Sequence, residues 1–255
     1  MGETSRRNKA ETRRLDILYE DEHLAVVYKP AGLLTVSYPG SRGRTAVDML
    51  FELRRRRGRV SKMQRPAVVH RLDRGTSGVL LFALTAEAKK RLMAGWQQLV
   101  LERRYRALCE VPAGVPFPLA QSGAIDRPLC INAAHHAYVP RGRDAAHIRG
   151  ALSALTRYRV LCRGSRYALL ECELETGRKN QIRAHLASFC MPVAGDTVYH
   201  ARSNPDGRLC LHARSLVFTH PFGGGRLSFE VPEPARWRIF AGGGKNSAQT
   251  ISTEK

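Results

Sequence analysis

The stretch His70-Arg71-Leu72-Asp73-Arg74-Gly75-Thr76-Ser77-Gly78-Val79-Leu80-Leu81-Phe82-Ala83-Leu84 decides the reading of this chain. Its second half is an unbroken apolar run, the pattern of a strand buried on both faces. Its first half places a carboxylate, Asp73, between Arg71 and Arg74 just before that strand. Neighbouring guanidinium groups favour the ionised form of a carboxylate, which leaves it ready as a nucleophile or base at neutral pH. Gly75 and Gly78 permit tight turns, and Thr76 and Ser77 can hydrogen-bond to nearby backbone or to a bound substrate. The same residues also suit an aspartate that merely ends a turn or pairs with a structural arginine.

Working outward, Ile17–Tyr19 and Leu24–Tyr28 read as strands ahead of a Pro30-Ala31-Gly32 turn. Thr45 caps a predicted helix running to about Arg57, with Val47, Leu50, Phe51 and Leu53 inward and Gly58 ending it. Thr85 caps another, with Ala88, Leu92, Met93, Trp96 and Leu99 at helical spacing. Arg104–Val111 is a predicted strand whose Tyr105, Ala107, Cys109 and Val111 share a face, and Arg157–Cys162 with Tyr167–Leu174 form a hairpin around Gly164-Ser165. Asn180 is expected to cap a helix carrying Ile182, Leu186 and Phe189, and Ala213–Thr219 pairs with Arg226–Val231 around Gly223-Gly224-Gly225. Runs of adjacent strands mixed with a few helices give an α+β class, not alternating βαβ. Residues 15–240 then form the folded domain, between a basic arm at 1–14 and a Gly/Ser/Lys-rich tail at 241–255.

The chain has 255 residues, 43% of them hydrophobic, enough for one large domain or two modest ones. Its net charge of +20 points to a polyanionic partner, nucleic acid ahead of membrane, although excess charge also simply solubilises. The charge is clustered: Arg54–Arg57, Arg59, Lys62 and Arg65 form one group, and Arg6, Arg7, Lys9, Arg13 and Arg14 another. The six cysteines (Cys109, Cys130, Cys162, Cys172, Cys190, Cys210) lack C-x-x-C spacing, and several sit in apolar stretches. That is the usage of a reduced, cytoplasmic protein, not of a disulfide framework or zinc site. No Cys or carboxylate completes a metal set with His135, His136 and His147, so no metal is expected. Neither a signal peptide nor a membrane span is read from the hydropathy.

The nonapeptide His70–Gly78 resembles the signature of the RluA-type pseudouridine synthases, isomerases that convert uridine in RNA to its C-glycoside. Other blocks are similar in the same order: Ile17 to Leu33 with its Lys29-Pro30-Ala31-Gly32 turn, Arg104-Tyr105-Arg106-Ala107, Leu174 to Leu186, Leu211-His212-Ala213 and Phe218-Thr219-His220-Pro221. The resemblance implies a largely antiparallel sheet crossed by a basic cleft, a monomer, a folded RNA substrate (ribosomal or transfer RNA), base flipping and no cofactor. It implies Asp73 as the catalytic carboxylate, attacking C1′ or taking the 2′ proton. Arg183 is implied as its bidentate partner, and Tyr105 as the residue against the target base. A solvated helix-face arginine and a buried core tyrosine are the plainer readings of those two. Arg71 resembles the arginine that fills the space left by the flipped base, with a phosphate contact or a structural pair as alternatives. Thr76, Arg178 and Gln181 are further candidate substrate contacts, and Ile125, Leu129 and Leu211 candidate pocket walls.

The fourteen residues before the first strand leave no room for the RNA-binding module some relatives carry. Two departures stand out. Arg178-Lys179-Asn180 occupies the place of the usual Arg-Thr-His, and His200 that of a usual glycine, uncomfortable only if its φ is positive. A non-catalytic RNA-binding protein on the same fold is the rival reading; such a relative would be expected to lose Asp73. A DNA-binding protein using basic patches alone lacks any helix-turn-helix or finger pattern.

Overall fold

The computed structural model describes residues 14–59, 64–142 and 148–243. Most of the basic arm, Lys62, His147 and the tail from position 244 lie outside the described residues. In chain order the strands are β1 Asp16–Glu20, β2 Leu24–Lys29, β3 Ala67–Val68, β4 Ser77–Ala83, β5 Val100–Glu110, β6 Ser122–Asp126, β7 Cys130–Ile131, β8 Ala137–Tyr138, β9 Leu155–Arg163, β10 Tyr167–Leu174, β11 Leu211–Thr219 and β12 Arg226–Glu230. The helices are α1 Ala46–Arg56, α2 Ala86–Ala94, α3 Trp96–Leu99, α4 Gln181–Ala187 and α5 Arg236–Phe240.

Ten strands make one mixed sheet in the order β1-β2-β4-β11-β5-β10-β9-β6, with β12 added to β11 and β3 to β4. Every pairing is antiparallel except β4 with β11. This is the α+β arrangement expected, and β4 explains its own sequence. All seven of its residues are buried. Leu80 and Phe82 enter the core on one face, while Val79, Leu81 and Ala83 enter a second core on the other. A strand covered on both sides needs no polar alternation.

The parallel β4–β11 contact is welded by polar groups. Gly78 has φ +120 and abuts β11 so closely that a Cβ there would lie 2.1 Å from the Ala213 carbonyl oxygen. Ser77 Oγ accepts from Arg208 Nη2 at 2.6 Å and lies 2.7 Å from His212 Nδ1. The Val231 carbonyl only accepts, so the neutral ring donates Nε2–H to it at 2.9 Å and its Nδ1 accepts from the Ser77 hydroxyl. Burial drives His212 down to about 4, which keeps the ring neutral as this network requires.

Three expectations change. Gly95 divides the predicted helix after Thr85 into α2 and α3, and Met93 is exposed instead of inward. Ile125 and Leu129 are buried in apolar clusters away from the cleft described below. The Arg54–Arg65 group is partly committed within the protein: buried Arg54 donates to Glu20 at 2.8 Å, Arg55 pairs with Glu52, and Arg65 with Asp48. Thr45 forms the predicted cap of α1, reciprocated by Asp48.

His212 makes the fold acid-sensitive with a defined sign. The unfolded chain takes a proton near 6.5 and the folded chain only near 4, so stability is lost as pH falls between those values. At pH 5 the expected loss from this group is about 2 kcal/mol relative to pH 7. Urea unfolding at both pH values checks it, and the loss should shrink by that amount in His212→Gln.

Candidate active site

Asp73 stands on the loop between β3 and β4, and the turn after β2 clamps that loop. Thr35 Oγ1 donates to the Leu72 carbonyl at 2.9 Å and accepts from the Leu72 N–H at 3.2 Å. Gly32 N–H donates to the Arg74 carbonyl at 2.8 Å, and Arg74 Nε donates back to the Gly32 carbonyl at 3.1 Å. The buried Lys29 ammonium donates to the carbonyls of Leu33 at 2.7 Å, Pro30 at 3.0 Å and Arg74 at 3.4 Å. Burial, and then the Arg208 charge, bring Lys29 down to about 7, with Asp73 pulling the other way. The Lys29-Pro30-Ala31-Gly32 turn therefore fixes the backbone on both sides of Asp73.

α4 supplies the partners of the carboxylate. Asp73 Oδ2 accepts from Arg183 Nη1 at 2.7 Å and from Asn180 Nδ2 at 2.7 Å. Oδ1 takes no hydrogen bond among the described residues, and the side chain is 30% exposed. Asn180 holds the expected N-cap position of α4, but its side chain makes no cap hydrogen bond; it sits at φ +51, a left-handed backbone that Asn tolerates well, and its amide turns to Asp73 instead. The expected bidentate fork of Arg183 exists, but its partner is Asp196: Nε to Oδ2 at 2.6 Å and Nη2 to Oδ1 at 2.8 Å. Asp73 receives the remaining Nη1. Burial works against the Arg183 charge, but Asp196 and then Asp73 outweigh it and raise its hold on the proton. The Tyr199 ring lies 5.1 Å from the same guanidinium.

Buried Gln181 uses its amide on the protein. Oε1 accepts from Thr176 Oγ1 at 2.8 Å and Arg178 N–H at 2.9 Å, while Nε2 donates to Thr156 Oγ1 at 2.9 Å and the Leu155 carbonyl at 3.0 Å. With two acceptor and two donor positions filled, it holds the Thr176–Arg178 turn and has nothing left for a ligand.

These groups open into a cleft of about 640 Å³. Arg71, Thr76, Tyr105, Arg178 and Leu211 line it with Asp73 and Arg183. Arg71 and Arg178 are exposed, Arg178 Nε donating to the Ser153 carbonyl at 2.9 Å, and buried Thr76 donates its N–H to the Asp73 carbonyl at 3.1 Å. Tyr105, 8% exposed on β5, is pushed up to about 12 by burial, with Arg103 opposing and Asp73 adding, so its hydroxyl keeps its proton at neutral pH.

Two residues of the site escaped the sequence reading. Arg103 lines the cleft and donates Nη2 to the Leu174 and Glu175 carbonyls at 2.9 and 3.1 Å. A Cβ on Gly177 would lie 2.8 Å from its Nη1, so the glycine gives it room. Its position two residues before Tyr105 on one strand was the available signal. Asp196 carried a weaker one, a lone carboxylate closing Pro192-Val193-Ala194-Gly195.

The model of the RNA pseudouridylate synthase family matches residues 23–188. The chain belongs to that family. It is 38% identical to ribosomal large subunit pseudouridine synthase D of Nitrosomonas europaea, over 91% of this chain and 66% of the relative. The protein of the same name from Zymomonas mobilis is 35% identical, over 89% and 72%. The chain thus spans about two thirds of the length of these relatives. Among solved structures, human RNA pseudouridylate synthase domain containing 4 superposes with a TM-score of 0.66 at 26% identity, covering 90% of this chain and 92% of that one.

Because Asp196 anchors the fork, Asp196→Asn should cost about 3–5 kcal/mol, the penalty for breaking a buried pair from one side. Urea unfolding at pH 7 measures it.

Proposed function

We propose that this family member isomerises uridine to pseudouridine in structured RNA, with ribosomal RNA the leading substrate class. The observation that carries the reading is the half-satisfied carboxylate of Asp73: Oδ2 is held twice, and Oδ1 has no partner among the described residues of the cleft. The names of the two relatives support the ribosomal substrate. Among the described residues no helix is long and apolar enough to cross a membrane.

The isomerisation breaks the bond from N1 to C1′ and forms one from C5 to C1′; the C5 proton leaves and N1 gains one, so the overall composition is unchanged. The sugar becomes electron-poor as the first bond breaks. Asp73 answers that charge through Oδ1, as a nucleophile at C1′ or as a base for the 2′ proton; both routes need the same ionised oxygen beside the sugar. Arg183 and Asn180 hold Oδ2 still. Tyr105 offers ring area to the base and a hydroxyl for proton handling at C5. A uridine in folded RNA reaches this cleft by leaving its stack, and Arg71, which lines the cleft, then fills the gap in this reading. Gln181 serves by holding the Thr176–Arg178 turn.

Unmodified ribosomal and transfer RNA transcripts, incubated with the protein and mapped by chemical adduct and reverse-transcription stops, test the reading. A site converted by the native chain should be lost with Asp73→Asn, by about 10³-fold or more in rate, while RNA binding persists. RNA binding without pseudouridine in any pool would overturn the proposal in favour of a non-catalytic RNA-binding role. Tyr105→Phe keeps the ring and removes the hydroxyl; single-turnover rates should fall about 10²-fold with RNA affinity little changed.

A further inference from the structure

The helix that carries Arg183 has a second side. Gln181, Ile182 and Arg183 border the catalytic cleft, whereas Ala184 and Ala187 border a separate cavity of about 720 Å³. Its remaining walls come from the β7–β8 region and the segment after Asp196. They include Arg127, Arg141, His136, His200, Tyr138 and Tyr199. A cavity of that size accommodates a nucleotide-sized ligand. Its fixed charge has one sign: two guanidinium groups line it, and no carboxylate does among the described residues.

Two further features set this cavity apart from a packing gap. Tyr138 stands 42% exposed, presenting ring area that the protein core does not use. His200 is exposed with φ +60, a left-handed conformation that is costly for a residue with a Cβ. The cavity is also mechanically continuous with the site. Tyr199 lines it, anchors its hydroxyl on the Ala137 carbonyl at 2.6 Å, and places its ring 5.1 Å from the Arg183 guanidinium.

Building on the RNA-modifying reading above, we propose that this cavity is a second nucleotide-binding site for the substrate RNA. It takes a nucleotide flanking the target uridine, its phosphate on Arg127 and Arg141 and its base against Tyr138. Cationic grooves with an aromatic platform bind single-stranded segments in this way, largely without sequence preference. Occupancy would brace Tyr199, and through it the guanidinium that holds Asp73.

The cavity carries its own reporter. Cys190 lines it and is exposed, whereas the other five cysteines are buried or half-buried. The test is the rate of iodoacetamide labelling at Cys190, read by peptide mass spectrometry, with and without saturating substrate RNA. RNA should slow labelling about fivefold or more. Arg141→Glu and Arg127→Glu should each weaken RNA binding about tenfold, flatten the salt dependence of binding by about one unit of log–log slope, and restore labelling. Exposed Tyr138→Ala should weaken binding about fivefold with the salt slope unchanged. Pseudouridine formation with Cys190 labelled at its free rate would overturn this site alone. Protection by millimolar uridine or adenosine monophosphate equal to that by RNA would overturn it in favour of a free-nucleotide site. A chain that binds no RNA would overturn the functional reading and this site together.

Discussion

A buried guanidinium shared between two carboxylates is the constraint on which this site depends. Arg183 gives its fork to Asp196 and its remaining Nη1 to Asp73. The division has a chemical consequence. A fork on Asp73 would occupy both carboxylate oxygens and quench the group it positions. With Asp196 taking the fork, geometry is set by a residue that is itself 1% exposed and does not face the cleft, and Asp73 keeps one oxygen without a partner among the described residues. Arg183 is the member neither carboxylate can spare, because removing it leaves the buried Asp196 without a counter-charge.

The +20 charge of the chain is not a uniform coat. Part of it is internal stitching: Arg54 on Glu20, Arg106 and Arg159 on Glu171, and Arg214 on Glu230 and Glu233. The arginines that open onto the cleft are a different population, and they stand there with few carboxylates. Counting charge in the sequence overstates the surface offered to RNA, since a guanidinium already paired in a folded protein gains less from a phosphate.

Much of the architecture was legible because local patterns and the fold agree. The apolar run after Gly78 read as a doubly covered strand, and Thr45 read as the cap that it forms. The pairing of Asp73 with Arg183 was legible through ordered motifs. What escaped was non-local. Nothing near Arg183 in sequence says that its fork belongs to Asp196, and nothing near Gln181 says that its amide is wholly consumed by two threonine hydroxyls and two backbone groups around it. Asn180 looked like a cap because Asn caps helices; its actual role depends on a carboxylate 107 residues away. Met93 was read into the helical stripe, but it follows buried Leu92 by one residue, about 100° round α2, and faces outward.

The place of β11 in the sheet has a consequence for how the protein comes into being. This strand lies between β4 and β5, although it is made well over a hundred residues after β4. Before it arrives, the sheet is two separate halves, one bearing Asp73 and the other Tyr105. Closing so long a loop is slow, and the inner edges of both halves stay exposed until it closes. The two halves of the candidate site are thus brought together by a late strand, and the cleft is complete only once β11 has closed the sheet.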